Sequence, residues 1–231
     1  RKETSFVLSI NDLFESPPPS PSPTPSIPDL ISIDDSGVSD TDNITNNPTP
    51  TFTGSAEAGS IVEVFADSTS LGVSTADEFG NWTLIVAPSS PLMDGSYSIR
   101  AIATDVNGNI SAASGALELT IDTKAPILGY GYVEPIDLNP IDENSGANQL
   151  VFIGYRTDGS PVTYSLKVNN NDDAESFSIN PQTGNLSLID NPDYEEKSSY
   201  GFTIVAIDAA GNRKETSFVL SINDLFESPP P

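Results

Sequence analysis

The sequence predicts an all-β fold: two tandem Greek-key β-sandwiches behind a Pro-rich N-terminal linker. Three observations lead there. Short runs of alternating apolar and polar residues recur along the chain, bounded by Gly, Asn, Asp or Pro. No segment sustains a helical period of apolar residues. Lys124-Ala125-Pro126 divides the runs into two sets, each spanning about 100 residues, enough to bury a core.

Residues 1–15, RKETSFVLSINDLFE, read as one strand with Phe6, Leu8 and Ile10 on a single face and Asp12 and Glu15 at its end. The nineteen residues from Arg1 recur without change from Arg213 to Pro231, an offset of 213 − 1 = 212. The first copy is therefore expected to be the orphan last strand of a preceding unit, and the chain a slice of a tandem array. Residues 16–28, SPPPSPSPTPSIP, place Pro at nearly every second position, which favours extended polyproline II over sheet or helix. As a semi-rigid spacer these residues would span about 40 Å; a disordered tether is the other reading.

Residues 29–125 form the first domain. Its strands are IVEVFA (61–66), GNWTLIVA (80–87), GSYSIRAIATD (95–105) and ALELTID (116–122), with Trp82 on the inward phase beside Leu84 and Val86. Residues 126–227 form the second domain. Its strands are QLVFIGY (149–155), VTYSLKV (162–168), ESFSIN (175–180), GNLSLID (184–190), YGFTIVAID (200–208) and TSFVLSIND (216–224); residues 228–231 begin the next linker.

Composition narrows the function. The formal charge of -24 repels nucleic acid and anionic membranes and attracts divalent cations. Without Cys or His, thiolate and imidazole metal sites, Cys or Ser-His nucleophiles and haem ligation are all excluded from this segment. No stretch reaches the roughly 20 apolar residues of a membrane span. These chemistries apart, the segment is expected to be non-enzymatic, and direct membrane insertion is not expected.

The two halves close in the same way. Tyr97, Ala103, Asp105, Gly108 and Asn109 correspond to Tyr200, Ala206, Asp208, Gly211 and Asn212 at a constant spacing of 103 residues, as 200 − 97 shows. Each set predicts a strand opened by Tyr, a D-x-x-G-N turn in which Asp accepts backbone N–H groups and Gly supplies positive φ, and a return strand.

With DNITNNPTPTFTGSAEAGSIVEVF, DEFGNWTL and LTIDTKAP, residues 29–126 resemble the bacterial Ig-like domains of secreted repeat adhesins. With Asp142-Glu143-Asn144, FSINPQTGNLSL, Asp193-Tyr194-Glu195, AIDAAGN and the closing IND-LFE-SPP, residues 127–227 resemble a bacterial-type cadherin repeat. Together they resemble a segment of a large RTX-type adhesin.

The resemblance implies Ca2+ held by loops at one end of the second sandwich. Carried over, Glu143, Asp193, Glu195 and Asp208 are the expected ligands of one group, and Asp224 and Glu227 those of the closing linker. Phe226 stands where that linker usually has Asn, which removes one carbonyl ligand. In the first domain Asp34, Asp35, Asp40 and Asp42 lie within nine residues, and Asp105 and Asp122 are further candidates. The resemblance places calcium at such domain junctions. None fits an EF-hand, because Ile44 stands where Asp40-x-Asp42 needs a third oxygen ligand. The plain alternative for each single acid is a turn-former that caps its own backbone.

The function implied is a calcium-stiffened extender of a bacterial cell-surface or secreted adhesin, of the kind found in biofilms, whose immediate partners are adjacent repeats of the same chain. Two alternatives stand beside it: a recognition module for polysaccharide or for calcium-dependent homophilic adhesion, and an accessory domain of an extracellular enzyme.

Overall fold

A computed structural model describes residues 20–128, 136–152, 161–168 and 172–226. The duplicated segment 1–15, Glu227 and residues 228–231 lie outside the described residues.

The first sandwich comprises β1 (Asp29–Leu30), β2 (Ile44–Thr45), β3 (Thr51–Ser55), β4 (Ile61–Ala66), β5 (Thr69–Thr75), β6 (Asn81–Ile85), β7 (Gly95–Thr104) and β8 (Leu117–Ile121). One sheet runs β1-β3-β6, the other β2-β8-β7-β4-β5. After β5 the chain crosses to the opposite sheet for β6 and returns to lay β7 beside β4, a Greek-key connection. Strict alternation explains the core. Val62, Val64 and Ala66 of β4 point inward with Trp82 and Leu84 of β6, and they meet Phe52, Ile99 and Leu119. Trp82, 2% exposed, occupies the core position expected of it.

The second sandwich comprises β9 (Ile136–Asp137), β10 (Ile141–Asp142), β11 (Gln149–Phe152), β12 (Val162–Leu166), β13 (Phe177–Ile179), β14 (Leu186–Leu188), β15 (Ser199–Asp208) and β16 (Arg213–Asn223). One sheet runs β12-β15-β16, with β9 and β10 both parallel along the free edge of β16; the other is β11-β14-β13. The β15–β16 hairpin is its longest ladder, from Ser199 opposite Ser221 to Ile207 opposite Arg213. Phe202 lies at the middle of the core, with its ring centroid 4.3 Å from that of Phe177 and 5.7 Å from that of Phe218.

Three features depart from the sequence reading. The ESFSIN segment begins as a 3-10 turn at Ala174–Ser176, so its strand starts only at Phe177. β5 (TSLGVST), the outer strand of its sheet, carries no buried face. The Pro-rich segment is not a free spacer along its whole length, since Ser22, Pro25 and Pro28 are buried. Ser26 sits between prolines, which lack N–H groups, and donates its own to the Ser55 carbonyl at 2.9 Å; its Oγ accepts the Ser55 N–H at 2.8 Å. Residues 22–28 thus pack on the first sandwich.

Candidate metal centre and interdomain joint

The acids that converge in the second sandwich do so around Glu143. β10 pairs with β16 through Ile141 opposite Ile222 and Asp142 opposite Asn223, which delivers Glu143 to the end of the closing strand. Its side chain is 1% exposed. Oε2 accepts the Tyr194 N–H at 2.9 Å, and Oε1 accepts the Leu225 N–H at 2.6 Å. One carboxylate therefore joins β10, the turn after Pro192 and the exit from β16. Carboxylate oxygens of Glu143, Glu195 and Asp224 lie within 4.8 Å of one another.

None of the ion pairs among the described residues involves these three acids. The N–H groups of Tyr194 and then Leu225 hold Glu143 below the usual carboxylate range. For Glu195 its own N–H acts in the same sense, but burial, the hydrogen bond to Glu143 and the charges of Glu143 and Asp224 outweigh it and raise its pKa. A site of oxygen donors with crowded negative charge fits a hard cation that takes six to eight oxygens at about 2.3–2.6 Å. The residues present suit Ca2+. Asp193 is not one of these three; its Oδ1 accepts the Glu196 N–H at 3.0 Å and caps the turn.

Asp208 does not join this group. β15 runs ten residues from Ser199, which faces Ser221 near the cluster, to Asp208 at the opposite end of the sandwich. At about 3.3 Å per residue the separation along the strand is about 30 Å. The expectation that Asp208 shares an end with Glu143 is corrected by strand direction. Asp208, fully buried, closes the predicted turn: its Oδ1 accepts the Asn212 N–H at 2.9 Å and its Oδ2 the Asn212 side-chain amide at 3.0 Å.

Asp105 does the same with Asn109 at 2.8 and 2.7 Å. A third copy, which the sequence reading passed over, is Asp77-Glu78-Phe79-Gly80-Asn81, with Asp77 Oδ1 2.8 Å from the Asn81 N–H it accepts. Gly80, Gly108 and Gly211 have φ of 84°, 87° and 85°, so all three turns share one backbone.

The acids of the first domain separate similarly. Asp34 accepts the Asn47 side-chain amide at 2.8 Å and the Thr51 N–H at 2.7 Å. Asp42 accepts the Ile44 N–H at 3.1 Å, and Asp35 that of Asn43 at 3.2 Å. Asp40 is exposed. Asp122 reaches the second sandwich through its main chain, where its carbonyl accepts the Asn212 side-chain amide at 2.7 Å.

Two residues absent from the sequence reading complete this joint. Ser36 Oγ donates to the Ala210 carbonyl, and Gly37, with φ of 105°, lies directly against residues 209–211. A Cβ on Gly37 would overlap the Ala209 carbonyl oxygen, and one on Gly211 would come within 2.9 Å of the Gly37 nitrogen. Gly37→Ala is expected to open the joint while leaving both sandwiches folded. 15N relaxation would show this as separate tumbling of the two halves; unchanged common tumbling would refute it.

The turns also set the acid response. The Asn81 N–H lowers the pKa of Asp77, and the Asn109 side chain and N–H lower that of Asp105. Lys124, with Thr123, holds Asp94 down to about 2, and Lys167 lowers Glu215. Depressed carboxylates contribute stability above their unfolded values, near pH 4, and lose it as pH falls through the folded ones. Asp35 and Glu195 are raised and act oppositely, but the lowered acids outnumber them. The melting temperature in chelator is expected to decline below about pH 4 and to be declining still near pH 2. A constant value over that range would contradict the assignment.

Two β-sandwiches in series, each with a side chain bonded to a main-chain carbonyl of the other, define a tandem of Greek-key β-modules. Comparison makes the class particular: residues 21–123 match the family model of the bacterial Ig-like domain, and residues 138–223 that of the cadherin domain. Domains of these families are non-enzymatic adhesion folds and are usually extracellular.

Among curated proteins, the chain is similar to Protocadherin Fat 4 of Mus musculus, 26% identical over 144 residues, 61% of this chain. It is also similar to the Fat-like cadherin-related tumor suppressor homolog of Drosophila melanogaster, 32% identical over 117 residues, 49% of this chain. The match spans 2% of the length of each.

Among solved structures, the extracellular cadherin domains 1-5 of Protocadherin Gamma B2 align with a TM-score of 0.42 and 15% identity, covering 87% of this chain and 41% of that one. Drosophila N-cadherin EC1-4 aligns with a TM-score of 0.39 and 17% identity, covering 79% and 47%. Among the described residues no helix is long and apolar enough to cross a membrane.

Proposed function

We propose that this chain is a calcium-binding extender segment of a bacterial cell-surface or secreted repeat adhesin, stiffened by Ca2+ and carrying a distal adhesive domain away from the cell. The observation that carries this reading is the convergence of Glu143, Glu195 and Asp224 where β16 leaves the second sandwich. Glu143 already fixes the Leu225 N–H, and Asp224 and Glu195 are exposed beside it. Bound Ca2+ would supply positive charge there; the carboxylates would then hold the exit segment and the 193–195 turn in one arrangement, so the next module leaves in a set direction.

Two further observations support the reading. The closing segment with its acids recurs at an offset of 212 residues, as an array requires. The charge of -24 draws divalent cations to the surface. Small-angle scattering and calorimetry in calcium and then in chelator test it. Calcium is expected to narrow the distribution of dimensions and raise the second melting transition, and an unchanged profile in both would end the proposal. The cadherin match favours one other reading, a homophilic adhesion module, which calcium-dependent self-association in sedimentation would reveal.

A further inference from the structure

Two elements meet in the joint between the sandwiches: the Asp208–Asn212 turn of the second, and the Ser36-Gly37 backbone at the exit end of the first. Docking covers the turn. Ala210 is 1% exposed, and a Cβ on Gly211 would come within 2.9 Å of the Gly37 nitrogen.

Both elements occur a second time, at the outer ends of the pair, and among the described residues nothing covers them. The Asp105–Asn109 turn has the same Asp-to-Asn bonds and the same glycine φ as its docked twin. Yet Val106 is 77% exposed, Asn107 and Gly108 are exposed, and a Cβ on Gly108 would meet nothing within 4 Å. At the far end Ser145-Gly146 repeats Ser36-Gly37, with glycine φ of 103° against 105°. Its connection differs, joining β10 to β11, but it too lies where the last strand leaves its sandwich, with the Gly146 N–H donating to the Asn191 side chain at 2.7 Å.

The surfaces around these two elements are apolar. Phe79 is 80% exposed in the turn whose Gly80 packs on Ala56, and Val106 stands over Gly59, so the two turns flank the 56–59 loop. Ile110, bridged to Thr104 at the end of β7, is also exposed. At the exit end of the second sandwich Phe226 is 93% exposed beside Leu225. Apolar side chains gathered on an exposed surface mark interaction sites.

We propose that the entry end of the first sandwich, with Phe79, Val106 and Ile110 around the 105–109 turn, docks the exit end of the second sandwich of another copy of this chain, which in an array is the preceding repeat. Gly146 lies against residues 106–108 there as Gly37 lies against 209–211. The sequence supplies this occupant, because Asn223-Asp224-Leu225-Phe226-Glu227 recurs as residues 11–15, ahead of the first sandwich. Ser26, bonded to Ser55 where β3 closes, brings the chain in at the same end. Residues 16–21 lie between and reach at most about 22 Å. So short a tether holds the two ends at a millimolar effective concentration, and weak docking suffices. The inference rests on the array in the proposed function and not on its calcium.

The chain has no Cys, so Asp190→Cys, exposed beside Asn191, takes a single spin label at the exit end. The experiment mixes this labelled chain with 15N-labelled chain at millimolar concentration and reads amide broadening. Salt of roughly 0.5 M screens the acids present at both ends. Broadening is expected at residues 77–80 and 105–110. Val106→Asp and Phe79→Ser, both at exposed positions, are expected to reduce it by about fivefold or more. Broadening no greater than that from free spin label, broadening centred on another face, or broadening unchanged in both variants would overturn the docking surface. Those results would leave calcium stiffening at Glu143 standing. A chain whose dimensions and melting ignore calcium while residues 105–110 still broaden would do the reverse.

Discussion

Glu143→Ala is expected to remove the effect of calcium on the second sandwich and to lower its melting temperature by about 5 °C or more even in chelator. The first effect follows from losing the one acid of the cluster that is held in place by the fold. The second follows from what Glu143 does without an ion: the Tyr194 and Leu225 N–H groups both donate to it, and alanine leaves neither with a partner. Glu143→Gln separates the effects, because the amide retains one acceptor oxygen and loses the charge. Differential scanning calorimetry with and without calcium reads both. A Glu143→Ala protein that still gains stability from calcium in its second transition would place the ion elsewhere.

Phe202→Ala is expected to cost about 3–5 kcal/mol, the range for emptying an aromatic site in a packed core. Phe202 is 2% exposed and touches Phe177 and Phe218 from opposite sheets, so the cavity can close only if the two sheets move together. The loss should stay local. The one Trp of the chain, Trp82, lies in the first sandwich, and its fluorescence reports that domain alone. The second transition should fall by more than about 12 °C while the Trp82 signal moves by less than about 3 °C. Equal movement of both would show that the sandwiches unfold as one unit.

Much of this fold was legible where strands bury one face. The alternation of Val62 and Val64, of Trp82 and Leu84, and of Phe218, Leu220 and Ile222 reflects the pleat directly. β5 was hidden because an outer strand with no buried face has no such pattern, and β9 and β10 because two residues carry no period. The packing of Pro25 and Pro28 was hidden by the usual meaning of proline, although Ser26 between them keeps its donor.

At the candidate site the residue types were legible and their placement was not. Glu143 stood out only through resemblance, since its burial depends on the parallel pairing of β10 with a strand some eighty residues later in the chain. Asp208 was assigned to the wrong end because strand direction decides which acids meet. Asp77-x-x-Gly-Asn carried the same signature as the two recognised turns, and the signal was available.

The parallel pairing of β9 and β10 with β16 bears on how such a module would carry load. The first and last strands described in the second sandwich are neighbours pointing the same way, and in the first sandwich its second strand, β2, likewise runs parallel beside the last, β8. Tension applied at the two ends of a sandwich would pull these neighbours in opposite directions along their shared axis. Their hydrogen bonds would be strained together in shear instead of being peeled one at a time, so the short, patternless strands β2, β9 and β10 would act as the clamps of their domains.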